Sequence, residues 1–468
     1  MKTSLKLGYG IGQISEGVKT AAFNTFLFFY FNQVLGLSGS LAGMAAFLAL
    51  TADAVTDPMI GHISDRWHSR WGRRHPFMLV GALPFGLALA LLFSPPSDLS
   101  QYGLFGWMLG LSVAVRLMMT LFYVPHLSLG AEIVTDYHQR TSLIGYRVFF
   151  SNISNILLSI VGFVVFFPPT EQFPNGLLNP INYPAFGALA GGIGAIAMIV
   201  CVFLTRSTIP HLLKPAANLT KSNPLFAFIT VFATLRQHSF RVLFITIMIF
   251  ISVMGMTQAL MVYLSTYIFG FAPEKMGILV LSFVFGAVFA SSVAQWMSRQ
   301  MDKKQALGIC IFFGAVILFT PIVIYLIDAY QLLSSTTQFL LVFICTGVAQ
   351  VFLIAGIILM DSMLTDTIDE HQMHTGRREE GLFFAAKSLA QKASYGIGVL
   401  ISGVALDIIE FPTGANPTDV PIETLTSLAM LCGPVTMLLF LSAIITSWRY
   451  PISEQRHQTI IATINTAK

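Results

Sequence analysis

Charge is scarce in this sequence. Only 10% of its 468 residues are Asp, Glu, Lys or Arg and 55% are hydrophobic, where soluble chains carry about 25% charge. No water-soluble interior of this length hides so much apolar surface, so lipid must be the solvent. Zinc spacings and CxxC pairs are missing too. Cys201, Cys310, Cys345 and Cys432 lie far apart in apolar runs and read as small packing residues. The absence of a Walker lysine loop argues against ATP-driven pumping. His62, His126 and His138 lack a spacing that would build a site, so neither an enzyme nor a resident cofactor is expected. The opening MKTSLKLGYG lacks the charged, apolar and small-residue order of a cleavable leader, so the first helix should act as its own insertion signal.

What the chain does have is apolar runs of about 20 residues or more, long enough to cross a bilayer as helices. Twelve are expected, the first over 8–35 and the last over 425–447. The fold class is therefore all-α and polytopic, with twelve transmembrane helices in two pseudo-symmetric six-helix halves. The halves are 1–206 and 239–447, joined by a polar, proline-containing linker at 207–238 and followed by a tail at 448–468. Of the 26 Lys and Arg, Lys19, Arg116, Arg147, Lys387 and Lys392 fall inside spans and Lys275 in an outer loop. The others crowd the tails and even-numbered loops, which puts both termini and the linker in the cytoplasm. The net charge of +4 reflects this bias and gives no reason to expect nucleic acid. A basic loop follows the second helix of each half, SDRWHSRWGRRH and then SRQMDKKQ, which suggests an internal duplication.

The segment DAVTDPMIGHISDRWHSRWGRRHPF, 53–77, concentrates the chemistry. Asp53 and Asp57 are four apart and share one helix face. Each acid costs about 2.5–3.5 kcal/mol at mid-membrane on insertion scales, and two side by side repel each other. A bound Na⁺ or a shared proton would relieve both penalties. Pro58 cannot donate to the carbonyl of Ala54, and Thr56 offers a hydroxyl one turn away. The alternative is a structural ion pair with a buried Lys or Arg. Asp65, Arg66, Arg70, Arg73 and Arg74 read as a cytoplasmic gate whose charges pair with acids on neighbouring helix ends, or as a topology signal alone. In the first helix, Gln13, Glu16, Lys19 and Asn24 offer hydrogen bonds to a substrate, while Glu16 and Lys19 are also spaced to pair with each other. Arg116, Thr120, Arg147, Lys387 and Lys392 add donors, and Asp361 adds an acid to neutralise one of the lysines.

These residues resemble the glycoside–pentoside–hexuronide:cation symporters, a family of the major facilitator superfamily. The likeness is carried by 53–77 and by FYVPHLSLGAE, YRVFF, DTIDEH and EEGLFFAAKSLAQK, and it spans nearly the whole chain. It implies a secondary symporter that uses an H⁺ or Na⁺ gradient to move a sugar, glycoside or uronide by alternating access. It also implies a monomer among membrane lipids, in a bacterial inner membrane. Carried over by position, it assigns Asp53, Thr56, Asp57 and Thr120 to the cation, with Na⁺ at Asp53 and Asp57 as one possibility. Arg147 and Lys392 fall on family positions near the sugar, alongside Gln13, Glu16, Lys19, Asn24 and Tyr123. The chain departs from the family's galactoside carriers, because Gly17 and Tyr123 replace their two sugar-binding acids and Leu127 their stacking tryptophan. A galactoside is therefore not expected, and Phe23 or Tyr123 would have to serve as the aromatic platform. Sodium-coupled lysophosphatidylcholine carriers share the fold, so a charged amphiphile is the alternative substrate.

Overall fold

The computed structural model describes residues 3–134, 136–211 and 234–466; most of the expected linker, at 212–233, and the side chain of His138 lie outside them. Among the described residues there is helix and loop, and eleven helices are long and apolar enough to cross a membrane. The chain forms two compact units. One is built mainly from the first half of the sequence with Phe271–Gly277 and Val399–Val420, the other from the remainder of the second half.

The first unit begins with α1 (Thr3–Ile11) and α2 (Ile14–Ala21), followed by π-helical turns at Ala22–Leu27 and Tyr30–Val34. The expected first span is thus interrupted. Gly10, Gly12 and Gly17 lower helix propensity around Gln13, and the chain turns there through a Gln13 N–H to Gly10 carbonyl bond of 2.9 Å. Then come α3 (Gly39–Arg66), α4 (His75–Leu92), α5 (Gln101–Ile133), α6 (Tyr137–Val161) and α7 (Tyr183–Thr205). α3 runs on through Pro58 without a break. α4 packs between α5 and α7, α3 lies on α5, and α2 lies on α6. Close approach of α4 to α7 depends on small residues: a Cβ at Gly86 would press on the carbonyl oxygen of Gly191. On α4 the residues Met78, Ala82, Phe85 and Leu89 are buried, whereas Val80, Leu83 and Leu87 are more than 60% exposed. A stripe of large exposed apolar side chains at helical spacing suits a lipid-facing surface rather than water.

The second unit contains α8 (His238–Tyr263), α9 (Pro273–Leu279, shared with the first unit), α10 (Phe283–Gln300), α11 (Lys303–Leu326), α12 (Ser335–Thr375), α13 (Glu380–Ile408, whose last turns belong to the first unit), α14 (Ile422–Met430), α15 (Thr436–Ser447) and α16 (Glu454–Thr466). α12 packs against α10, α11 and α16. Its C-terminal end carries a dense polar cluster. Lys303 pairs with Asp366 at 2.6 Å, Arg378 with Asp369 at 2.8 Å and Arg456 with Glu370 at 2.7 Å. Gln237 and Ser239 also donate to Glu370, while His457 lies 3.1 Å from Asp369. Tyr450 donates to the Met363 carbonyl at 2.7 Å. Burial pushes its phenol far above the usual range, so it remains a donor. Glu370 is 3% exposed, so Glu370→Ala should cost about 1.5–3 kcal/mol, seen as a lower thermal midpoint in detergent. An unchanged midpoint would mean that the cluster contributes nothing to stability.

Candidate functional site

The site is built in the first unit from two helical faces that meet. Asp53 and Asp57 stand four apart on α3, and Arg116 and Thr120 stand four apart on α5, so each pair presents one face. Because α3 lies on α5, the faces confront each other. The Thr120 hydroxyl reaches Asp53 Oδ1 at 3.1 Å and Asp57 Oδ1 at 2.8 Å. Arg116 Nη1 lies 3.5 Å from Asp53 Oδ2, and its guanidinium sits 4.9 Å from the centre of the Phe23 ring. Asp53 and Arg116 are each 9% exposed and Thr120 is 2% exposed, while Asp57 is half-buried.

The chemistry follows from the donor count. A threonine hydroxyl carries one hydrogen, so it can satisfy one of the two carboxylates at a time. A proton on that carboxyl or a cation among the oxygens would relieve the second oxygen-to-oxygen approach. Two acids and one fixed base, Asp53, Asp57 and Arg116, thus meet in one cluster. Three oxygens, Asp53 Oδ1, Asp57 Oδ1 and Thr120 Oγ1, converge. Thr56 is adjacent, with its hydroxyl turned to the Asp53 carbonyl at 3.3 Å. Among the described residues no group of three or more His, Cys, Asp or Glu side chains is placed to hold a metal ion.

The other candidate residues divide into those near this cluster and those committed elsewhere. Tyr123, half-buried on α5, lies within the electrostatic reach of Glu16 and Arg147 on one hand and Asp57 and Asp53 on the other. Arg147 also lies beside the phenol of Tyr9. Glu16 and Lys19 form the pair that their spacing allows, with Lys19 Nζ at 2.9 and 2.8 Å from the two carboxylate oxygens. Asn24 is half-buried in the first π-helical turn. Gln13 is committed to packing: its Nε2 lies 3.1 Å from Nδ1 of His126. The opposite edge of that imidazole is 2.9 Å from the Tyr9 carbonyl, and the ring stacks on Tyr9 at 4.1 Å. In the second unit Lys392 is half-buried, and Lys387 pairs with Asp361, the neutralisation anticipated for that acid.

In the basic loop, Arg73 Nη2 lies 2.8 Å and Arg74 Nη2 3.0 Å from Glu132 Oε1 at the end of α5. Arg74 also meets Asp65 at 2.5 Å and Ser64 at 3.0 Å. Arg70 is exposed and Arg66 half-buried. Glu132 is the residue that inspection of the loop itself misses, since it lies 58 positions from Arg74.

Gly17 explains one departure from the galactoside carriers. A Cβ there would collide with the Ser151 carbonyl and the Ser154 hydroxyl on α6, so this position belongs to a helix crossing and has no room for an acid. Gly17→Asp should therefore lower the yield and thermal midpoint of folded protein, by about 1–3 kcal/mol for overpacking alone, without creating galactoside binding. A well-folded variant that binds galactosides would contradict this reading.

A family model described as MFS/sugar transport protein matches residues 8–454. The chain belongs to this family. Inner membrane symporter YicJ of Escherichia coli is 23% identical, with 97% of this chain and 93% of that protein covered. The isoprimeverose transporter of Lactiplantibacillus pentosus is 22% identical over 86% of this chain and 80% of its own length. Among solved structures, the nucleoside transporter NupG superposes with a TM-score of 0.64 at 14% identity, covering 94% of this chain and 98% of that one. That likeness speaks for the fold alone. Family and motifs together place the chain with the glycoside–pentoside–hexuronide:cation symporters of the major facilitator superfamily, as 53–77 implied.

Proposed function

We propose that this chain is a secondary active symporter that moves a sugar, glycoside or uronide together with H⁺ or Na⁺ by alternating access. The single observation that carries this reading is the Thr120 hydroxyl held between two carboxylates in an apolar bundle. Two carboxylates drawn around one hydroxyl favour a shared proton or a bound cation. Asp53, Asp57 and Thr120 hold the coupling ion, with Thr56 at the rim. Glu16, Lys19, Asn24, Tyr123, Arg147 and Lys392 supply polar contacts to the solute. Tyr123 stands between the two groups and is the natural route by which ion and solute sense each other. The two halves, 1–206 and 239–447, work as a monomer in a bacterial inner membrane with both termini in the cytoplasm. Asp65, Arg66, Arg70, Arg73 and Arg74 close the inner end of the first half.

The test is uptake by proteoliposomes of free pentoses, glycosides and uronates under an imposed pH gradient or an imposed Na⁺ gradient. Accumulation of a solute above its outside concentration under one of the gradients is the expected result. Equilibration unaffected by either gradient would overturn symport.

A further inference from the structure

We propose that the groove between α11 and α15 binds the headgroup of an anionic phospholipid, with Lys304, Arg449 and the indole N–H of Trp448 as its donors and Phe312 and Ile445 beside the acyl chain. The inference goes beyond the transport reading and stands apart from it, since it needs neither a solute nor a coupling ion. α11 and α15 pack on each other. Lys304, in the first turn of α11, lies with its Nζ 3.5 Å from the carbonyl oxygen of Tyr450. Arg449 precedes Tyr450 and is exposed. Gly308 follows Lys304 by four residues and so shares its face of α11. It leaves room there for Trp448, which caps α15: a Cβ at Gly308 would stand 3.0 Å from the indole Nε1. The nitrogen edge of the ring thus rests against α11, about one turn in from the lysine.

The charged groups at this end of the unit fall into two sets. Lys303 is taken by Asp366, Arg378 by Asp369 and Arg456 by Glu370. Asp302, the acid next to the two lysines in the chain, turns Oδ1 to the N–H of Glu454 at 3.0 Å, and the Glu454 side chain accepts from Gln458 at 3.4 Å. Among the described residues neither Lys304 nor Arg449 forms an ion pair, and no acceptor meets the Trp448 N–H. Two cations and a neutral donor match a headgroup phosphate, and the cations favour a headgroup that has no ammonium of its own. The residues beyond the donors suit the rest of a lipid. Phe312 follows Gly308 by four residues on α11 and is 42% exposed, while Ile445 precedes Trp448 by three on α15 and is 64% exposed. Both belong to helices of membrane-spanning length, so the groove runs from polar donors to an apolar track. Trp448, itself 67% exposed, stands at the join, where a ring with an apolar body and one polar N–H is favoured. A free phosphate would use the donors and leave the track uncovered, which is why the occupant is a lipid.

The test is the thermal midpoint of the purified full chain in detergent with added phosphatidylglycerol, phosphatidylcholine of the same acyl chains, or inorganic phosphate. Phosphatidylglycerol should raise the midpoint of the native chain by roughly 2 °C or more above phosphatidylcholine, because a ligand that binds only the folded state stabilises it. Inorganic phosphate should give no shift. The double variant Lys304→Gln, Arg449→Gln should lose the phosphatidylglycerol increment and keep the native midpoint in detergent alone. A control, Arg299→Gln with Arg377→Gln, removes two exposed charges elsewhere and should retain the increment. Equal midpoints with the two lipids in the native chain would overturn the proposal, as would an increment that survives in the first double variant or is lost equally in the control. An equal shift with inorganic phosphate would give the donors to a free anion and overturn the lipid assignment. If the double variant yields no folded protein, Lys304→Gln and Arg449→Gln decide singly: a smaller increment in both supports the proposal, and a full one in either overturns it.

Discussion

Asp57→Asn abolishes concentrative uptake while the protein still inserts and folds: this is the largest effect expected of any single substitution here. The amide keeps the size of the side chain and can still meet Thr120, which lies 2.8 Å from the native carboxyl. What it loses is a negative charge able to hold a proton or a cation. One positive charge moved through about 100 mV is worth about 2.3 kcal/mol, which supports an accumulation of roughly 50-fold. Without an ion to carry, the variant should equilibrate its solute at a ratio of about 1. Asp53→Asn should have the same transport phenotype with poorer stability, because it strips Arg116 of the acid 3.5 Å away in a buried setting. Normal accumulation by both variants would remove the ion site from α3. Measuring the accumulation ratio alongside the initial rate of exchange separates lost coupling from lost substrate binding.

The second large effect lies at the basic loop. Glu132 is 8% exposed in its side chain and accepts from both Arg73 and Arg74, which are 14% and 5% exposed. Removing one partner of a buried ion pair leaves the other uncompensated, at about 3–5 kcal/mol. Glu132→Ala should therefore lower the thermal midpoint in detergent more than any other change in the loop. Arg74 keeps part of its balance through Asp65, so the loss should fall at the lower end of that range. Arg70→Ala, at an exposed position, should stay within about 0.5 kcal/mol of the native chain. Equal effects from the two substitutions would show that the loop acts through its total charge and not through this pairing.

How much of this was legible in the residues differs from place to place. Asp53 and Asp57 announce themselves because two acids in an apolar run at helical spacing share a face whatever surrounds them. The arginine loop is equally plain, and so is the Glu16–Lys19 pair, whose partners lie three apart. Contacts between helices are another matter. Thr120 was placed by family position alone, and Arg116 was visible only as one buried donor among several; its spacing of four from Thr120 was the sole local hint that both share the face turned to Asp53. Glu132 and His126 find their partners 58 and 113 positions away, a separation that periodicity cannot bridge. Gln13 shows the converse: a polar residue in a predicted span, naturally read as facing a solute, instead joins α1, α2 and α5 through His126. The first span was expected to be continuous, but Gly10 and Gly12 ahead of Gln13 weaken helical bonding enough for the chain to turn. In the second unit the degenerate loop SRQMDKKQ makes a pairing of the same kind, since Lys303 reaches an acid near the end of α12, Asp366, at 2.6 Å.

The central claim is that the acids of α3 hold the ion that drives solute movement. Its most direct test is a pH-sensitive dye trapped inside proteoliposomes of the native chain and of Asp57→Asn, with pentoses, glycosides and uronates added outside in Na⁺-free buffer. A solute whose entry through the native chain moves H⁺, or moves Na⁺ once sodium is restored, and does neither through Asp57→Asn, is the predicted result. Entry of that solute through both proteins at equal rates, with no movement of H⁺ and none of Na⁺ when sodium is restored, would contradict it.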